Sequence, residues 1–272
     1  MSLQGKTLFI TGASRGIGRE IALKAAADGA NIVIAAKSAE THAKLPGTIH
    51  SVAAEVEAAG GKSLALQLDV RDEDAVKAAM AKAFEHFGSI DALINNAGAI
   101  KLMGVEHLPP KRYDLMFQIN TRAVMVCSQA ALPYLKQSKG HILSLSPPIN
   151  LDPKWFANYG PYTTTKYGMS MLTLGMHEEF KKYGISVNSL WPKTVIATAA
   201  IEFEAGGPAV MKAARLPAIM ADAAYTILAS TERSISGRLL IDEEILREQG
   251  QSDFEQYRYD PAGKLMTDLF VD

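Results

Sequence analysis

The chain has 272 residues, 48% hydrophobic and 21% charged, and its 28 basic and 29 acidic side chains leave a net charge of −1. Those proportions suit a soluble globular protein. They exclude the basic surface of a general nucleic-acid binder and give no electrostatic pull toward an anionic membrane. A single cysteine, Cys127, excludes an internal disulfide framework and fits a reducing compartment, so a cytoplasmic location is expected.

In chain order, Thr7–Ile10 reads as a short buried strand. It runs into Thr11-Gly12-Ala13-Ser14-Arg15-Gly16-Ile17-Gly18, a tight turn opening a helix that reaches about Asp28. Further strands are expected at Asn31–Ala36, Ser63–Leu68, Ala92–Ile94, His141–Leu145, Ile185–Leu190 and Arg238–Ile241. Helices are expected near Ser51–Ala59, Asp72–Phe87, Tyr113–Leu135, Tyr162–Tyr183 and Ala218–Ser230. Several strands are apolar without alternation, as in strands covered on both faces, and strand–helix alternation argues for a parallel sheet with helices on both sides. Residues 1–242 form one domain in this reading, with 243–272 a C-terminal extension that is a tail or a cap. The stretch from Thr194 to about Pro217 reads as a loop or a loose helix pair.

No apolar run reaches the roughly 18 residues of a membrane span, and the N-terminus reads as a strand approach and not as a leader. His177-Glu178-Glu179-Phe180 lacks the second histidine of a zinc-protease helix, and no cysteine pair is present, so no catalytic metal is expected.

Ligands of open parallel sheets bind beyond the carboxyl ends of the strands, so those ends list the candidate site. After the first strand, Gly12, Gly16 and Gly18 let an anion approach a helix N-terminus, with Ser14, Arg15 and Ile17 on the same turn. After the second come Lys37 and Ser38, with Lys44 further on, where an NAD site usually places an acid. Lys37 and Arg15 together suit a 2′-phosphate, so NADP is expected over NAD. Asp69 and Val70 end the third strand, and Asn95-Asn96-Ala97-Gly98 the fourth. Ser144-Leu145-Ser146-Pro147-Pro148 ends the fifth, followed by Tyr162-Thr163-Thr164-Thr165-Lys166. Positions i and i+4 of a helix share a face, so the Tyr162 phenol and Lys166 ammonium point into one cleft. A cation some 4 Å from the phenol lowers its pKa by up to roughly three units from about 10, toward the range of a working acid or base.

These motifs, in this order, resemble the short-chain dehydrogenase/reductase family from Lys6 to Ile241. The resemblance rests on Thr11-Gly12, Gly16, Gly18, Asn95 to Gly98, Asn120, Tyr162, Lys166 and Pro192. It implies a doubly wound Rossmann fold with a seven-stranded parallel sheet, and hydride transfer between a nicotinamide and a carbonyl or alcohol. Tyr162 would then donate the proton, Lys166 would bind the nicotinamide ribose and lower the tyrosine pKa, and Asn120 would hold a relay water. Asp69 would face adenine, Asn96, Ala97 and Gly98 would line the cofactor, Val195 after Pro192 would meet the carboxamide, and Thr198 a phosphate. A homodimer or homotetramer through the Tyr113 and Tyr162 helices is also implied.

More narrowly, Leu45-Pro46-Gly47-Thr48-Ile49, Ser146 to Leu151, Lys166 to Ser170 and Trp191 to Thr194 resemble hydroxysteroid dehydrogenase-like proteins, whose longer members carry a sterol-carrier domain. Three departures stand out. Pro147 falls where the family places its substrate-binding serine, so Ser146 or Asn150 would replace it, or the step would run without this group. Pro192-Lys193 replaces Pro-Gly, and Asp242-Glu243-Glu244 replaces a glycine-rich ending. An oxidoreductase acting on an apolar alcohol or ketone is the first reading, with a pocket drawing on Met103, Trp155, Phe156, Ile201 and Phe203. The alternative is a nucleotide-binding sensor or scaffold.

Overall fold

The computed structural model describes residues 2–40, 45–230 and 235–272, which leaves Lys44 outside the described residues. The front half runs β1 (Thr7–Thr11), α1 (Gly16–Ala27), β2 (Asn31–Ala36), α2 (Ile49–Ala58), β3 (Lys62–Gln67), α3 (Glu73–Phe87) and β4 (Ala92–Asn95). Then come α4 (Pro110–Phe117), α5 (Ala123–Ser138), β5 (His141–Ser144), α6 (Lys154–Ala157), α7 (Gly160–Phe180) and β6 (Ser186–Trp191). The chain closes with α8 (Gly207–Lys212), α9 (Ala218–Ala229), β7 (Leu239–Ile241) and α10 (Asp242–Glu248).

The seven strands form one parallel sheet in the order β3-β2-β1-β4-β5-β6-β7. The chain winds outward from β1 to β3 and then returns to β4, so connections diverge between β1 and β4 and open a crevice there. Strand residues alternate between the two faces. Leu8, Ile10, Ile32, Ile34 and Ile94 join α1, α2 and α9 in one core, while Phe9, Val33, Leu93 and Ile142 join α3, α5 and α7 in the other. This double burial explains the continuous apolar runs of the strand sequences. A third cluster, with Tyr162, Tyr167, Trp191, Ile241 and Phe270, lies beyond the carboxyl ends of the strands.

The expected Tyr113–Leu135 helix is interrupted: α4 passes into α5 through a π-helical turn, Gln118–Arg122. Residues after Thr194 do form a helix pair, a π turn at Ile201–Ala205 followed by α8. The 242/243 boundary falls inside α10, whose Asp242 and Glu243 are buried. The residues after it pack on the domain as a cap, with Phe254 and Tyr257 in the first core and Phe270 in the third.

Candidate active site

The glycine turn is fixed from both sides. Thr11 Oγ1 accepts the N–H groups of Asn96 and Ala97, each at 3.0 Å, and donates to the Ile94 carbonyl at 3.2 Å. Asn96 Nδ2 donates to the carbonyls of Thr11 and Gly12 at 2.8 and 3.0 Å. Gly12 has φ +67°, and a Cβ there would lie 2.8 Å from Ala97 Cα; one at Gly18 would overlap the Asn96 amide. Asn96, expected to touch the cofactor, instead spends its amide on holding the turn. Helix α1 starts without a side-chain cap or an acidic residue in its first turn, so its leading N–H groups remain available to an anion. A Cβ at Gly16 would meet Thr198 Cγ2 at 3.5 Å, which brings Thr198 to the same turn. Ser14 in the turn is buried, Ile17 packs on the first core, and Val70 is buried in the second core.

Arg15 is held in place. Its guanidinium donates to Ser38 Oγ at 3.0 Å and to the carbonyls of Pro46 and Gly47, both at 3.1 Å. Lys37 Nζ stands 3.2 Å from Asp69 Oδ2. Asp69 is gripped by the Arg71 guanidinium at 2.6 Å, and these hydrogen bonds, with Lys37 behind them, hold its carboxyl well below the usual carboxylate range. Asp69 therefore anchors two cations at the end of β3, and its side chain is still partly exposed. Gly98 lies against Asn120, where a Cβ would meet Oδ1 at 3.5 Å.

Helix α7 delivers the chemistry-bearing pair. Both Tyr162 and Lys166 are buried. The Lys166 ammonium donates to the Leu145 carbonyl at 2.6 Å and lies 4.9 Å from the Trp191 ring centroid. Ser170 Oγ donates to the Pro147 carbonyl at 2.6 Å, so α7 is tied to the end of β5 at two points. Ser146 Oγ is buried without a hydrogen-bond partner, and among the described residues the Tyr162 hydroxyl has none. Asn150 is turned away, donating to Asp272 Oδ2 at 2.9 Å.

One expectation is reversed. Burial pushes the Tyr162 phenol up, and Asp268 adds to the push. Burial likewise pulls Lys166 down to about 7, against Asp268. Desolvation penalises both charged forms, and it is the largest influence on each. Asn120 is also committed: Oδ1 accepts the Ala99 N–H at 2.9 Å, and Nδ2 donates to the Ala99 carbonyl at 3.0 Å and Thr165 Oγ1 at 2.9 Å. Its side chain ties the β4 end to α7; both Nδ2 hydrogens are used, and Oδ1 keeps one acceptor site open.

The C-terminal segment supplies what the sequence reading missed. Residues 266–268 lie antiparallel to 193–195: Val195 N–H donates to the Met266 carbonyl and Asp268 N–H to the Lys193 carbonyl, both at 3.0 Å. The Val195 carbonyl accepts from Arg215 N–H at 2.9 Å. Both peptide groups expected to meet a carboxamide are thus engaged within the chain. Phe270, fully buried with φ +71°, lies among Tyr167, Trp155, Trp191 and Tyr162 at centroid distances of 5.2, 5.8, 5.9 and 6.4 Å. Trp191 Nε1 donates to the Leu269 carbonyl at 2.8 Å. The signal available beforehand was one aromatic among the polar residues of the tail.

Residues 6–205 match the short chain dehydrogenase family model. The chain belongs to the short-chain dehydrogenase family. It is 56% identical over 271 residues to Hydroxysteroid dehydrogenase-like protein 2 of Xenopus tropicalis, covering 99% of this chain and 64% of that relative's length. A solved structure from Xanthomonas campestris is 52% identical with a TM-score of 0.96, and all of both chains is covered. A 7α-hydroxysteroid dehydrogenase solved with NADH and 7-oxo glycochenodeoxycholic acid is 26% identical, TM-score 0.77, covering 88% of this chain and 93% of that one. A metagenomic short-chain oxidoreductase solved with NADP is also 26% identical, TM-score 0.73, covering 89% of this chain and 98% of that one.

Within this short-chain dehydrogenase, two departures from the family pattern face each other. Lys193 Nζ lies 3.1 Å from Glu243 Oε1, and Glu243 also receives Arg215 at 2.6 Å and Arg247 at 2.9 Å. Against the upward push of burial, the hydrogen bonds from Arg215, Arg247 and Lys193 bring Glu243 down to about 2. Asp242 Oδ1 accepts the Lys193 N–H at 2.8 Å, and burial pushes that carboxyl up to about 6. The residue after Pro192 is thus pinned by side chains where the family relies on glycine.

Proposed function

We propose that this chain is an NADP-dependent oxidoreductase that interconverts a carbonyl and an alcohol on an apolar substrate. The observation that carries this reading is a tyrosine whose ring is buried and whose hydroxyl has no hydrogen-bond partner among the described residues, one helical turn from a buried ammonium with a single carbonyl acceptor. The residues suit a dinucleotide: the uncapped α1 N-terminus would take the pyrophosphate, and the spare N–H groups of Lys166 would take ribose hydroxyls. Arg15, Lys37 and Ser38 would take a 2′-phosphate, which a carboxylate would repel. That is the reason to prefer NADP over NAD.

A bound nicotinamide supplies or accepts the hydride. On reduction, Tyr162 Oη gives its proton to the substrate oxygen as the carbonyl carbon becomes an alcohol carbon. A phenol pushed up by burial keeps that proton until a stronger base develops on the substrate, which suits a donor and opposes the reverse role. The partnerless Ser146 hydroxyl is the group able to hold the substrate oxygen in place of the serine that Pro147 displaces. Asn120 positions the β4 end against α7. The aromatic cluster around Tyr162 excludes water and favours an apolar substrate.

Titrating the protein with NADPH and NADH tests the cofactor assignment: NADPH is expected to bind at least tenfold more tightly, and equal affinity would refute the 2′-phosphate site. A carbonyl panel run with NADPH then tests the reaction. Exposed Met125 on α5 and Met171 and Leu174 on α7 support a homo-oligomer, which a purely monomeric sedimentation profile at micromolar concentration would remove. Among the described residues no helix is long and apolar enough to cross a membrane.

A further inference from the structure

A substrate of Tyr162 has to touch its hydroxyl, yet the space beside the ring is already taken. Phe270 stacks on Tyr162 at an interplanar angle of 26° and is itself 1% exposed. The three other rings around Phe270, Trp155, Tyr167 and Trp191, come from α6, α7 and β6, so the cage belongs to the domain and its occupant to the C-terminal segment. The same segment takes the Val195 N–H. We propose that residues 264–272 hold the seat of the ligand, with Phe270 standing where a flat, uncharged, ring-sized group of the substrate goes, so that segment and ligand exclude each other. The naming of the ligand rests on the dehydrogenase reading; the exclusion does not.

The segment is fastened in a way that permits release. At its far end Asp272 pairs with Lys154 and accepts from Asn150 Nδ2 at 2.9 Å; the ion pair is at least half exposed and contributes little, and Trp191 Nε1 holds the Leu269 carbonyl at 2.8 Å. Along its length three backbone hydrogen bonds, through Met266 and Asp268, join it to the 193–195 strand and Ala213. Asp268 is half-buried near Lys166; its carboxyl accepts from Leu269 N–H at 2.6 Å but from no side chain among the described residues, and loss of water around it pushes it up to about 7. Departure of the segment returns that carboxyl to water and to its ordinary range. That departure also removes the negative field that helps to hold the Tyr162 proton.

The only two tryptophans, Trp155 and Trp191, both line the cage, so tryptophan fluorescence reports on it directly. The experiment titrates the full chain, Phe270→Ala, and a form ending at Gly263 with 8-anilinonaphthalene-1-sulfonate and, separately, with NADPH. Circular dichroism and thermal melting verify the fold. Phe270→Ala and the shortened form are expected to bind the aromatic probe at least tenfold more tightly than the full chain. Equal or weaker probe binding by folded Phe270→Ala would overturn the proposal and make the segment a fixed wall. Hydrogen exchange covers the case in which the shortened form does not fold: in the full chain, saturating probe should speed exchange at 266–272 at least tenfold, and slower exchange would refute displacement. If no form bound NADPH, the cofactor reading would fail while the probe titration still decided the question of the seat.

Discussion

The two ends of the site are built in opposite ways. At the glycine turn, the side chains of Thr11 and Asn96 tie the ends of neighbouring strands β1 and β4 together, and glycine admits the close approach. Around Tyr162 the decisive contacts join residues about 80 to 120 positions apart, such as Trp191 with Leu269 and Asn150 with Asp272. The cradle is held between two paired strands of the sheet; the chemistry end is shaped by a segment outside the sheet. The first end tolerates little change, whereas the second is able to change state.

The largest effect should come where the ends of β6 and β7 are pinned together. Glu243→Gln leaves Arg215 buried without its carboxylate and is expected to cost about 3–5 kcal/mol in denaturant unfolding. Because Glu243 sits at about 2 when folded against an ordinary 4.5, its contribution is present above pH 4.5 and is lost as pH falls toward 2. The difference between wild type and Glu243→Gln should shrink over that window. A gap that stays constant down to pH 2 would mean that the three cations do not hold Glu243 in its charged form.

Gly12→Ala breaks the cradle alone. A left-handed backbone and a Cβ against Ala97 together cost about 3 kcal/mol, so NADPH affinity should fall on the order of a hundredfold. Probe binding in the cage should be unaffected; parallel loss of both would show that the two ends are coupled. Arg15→Ala sharpens the cofactor assignment, with NADPH binding weakened about tenfold, or roughly 1.4 kcal/mol, and NADH binding unchanged. The smallest effect is expected for Lys154→Ala, which frees Asp272 at a cost to stability of less than about 1 kcal/mol. It should nevertheless raise exchange at residues 266–272, and unaltered exchange would show that this ion pair is not a fastening.

The same contrast governs what was legible in the sequence. Seven apolar strand runs and the helices between them were readable because double burial writes an apolar run and right-handed crossovers fix the order. Gly12, Gly16 and Gly18 were readable because a turn of this kind admits little else. The i, i+4 spacing of Tyr162 and Lys166 placed both on one buried face, but their electrostatics were misjudged: spacing reports proximity, while desolvation depends on what covers the pair. Phe270 and Asp268, which do the covering, lie about 100 residues downstream without local periodicity. Lys193 and Glu243 looked like two separate departures, and their pairing needed the β6 and β7 ends to be side by side. The π turn at Gln118–Arg122 left no mark in an otherwise helical pattern.

The account stands on Tyr162 as the proton source. The most direct measurement is NADPH oxidation by wild type and Tyr162→Phe with the best carbonyl of the panel, at equal saturation with cofactor. Loss of the hydroxyl should lower kcat by roughly 10²- to 10⁴-fold while the NADPH affinity stays within about twofold. Turnover by Tyr162→Phe at the wild-type rate would contradict the account.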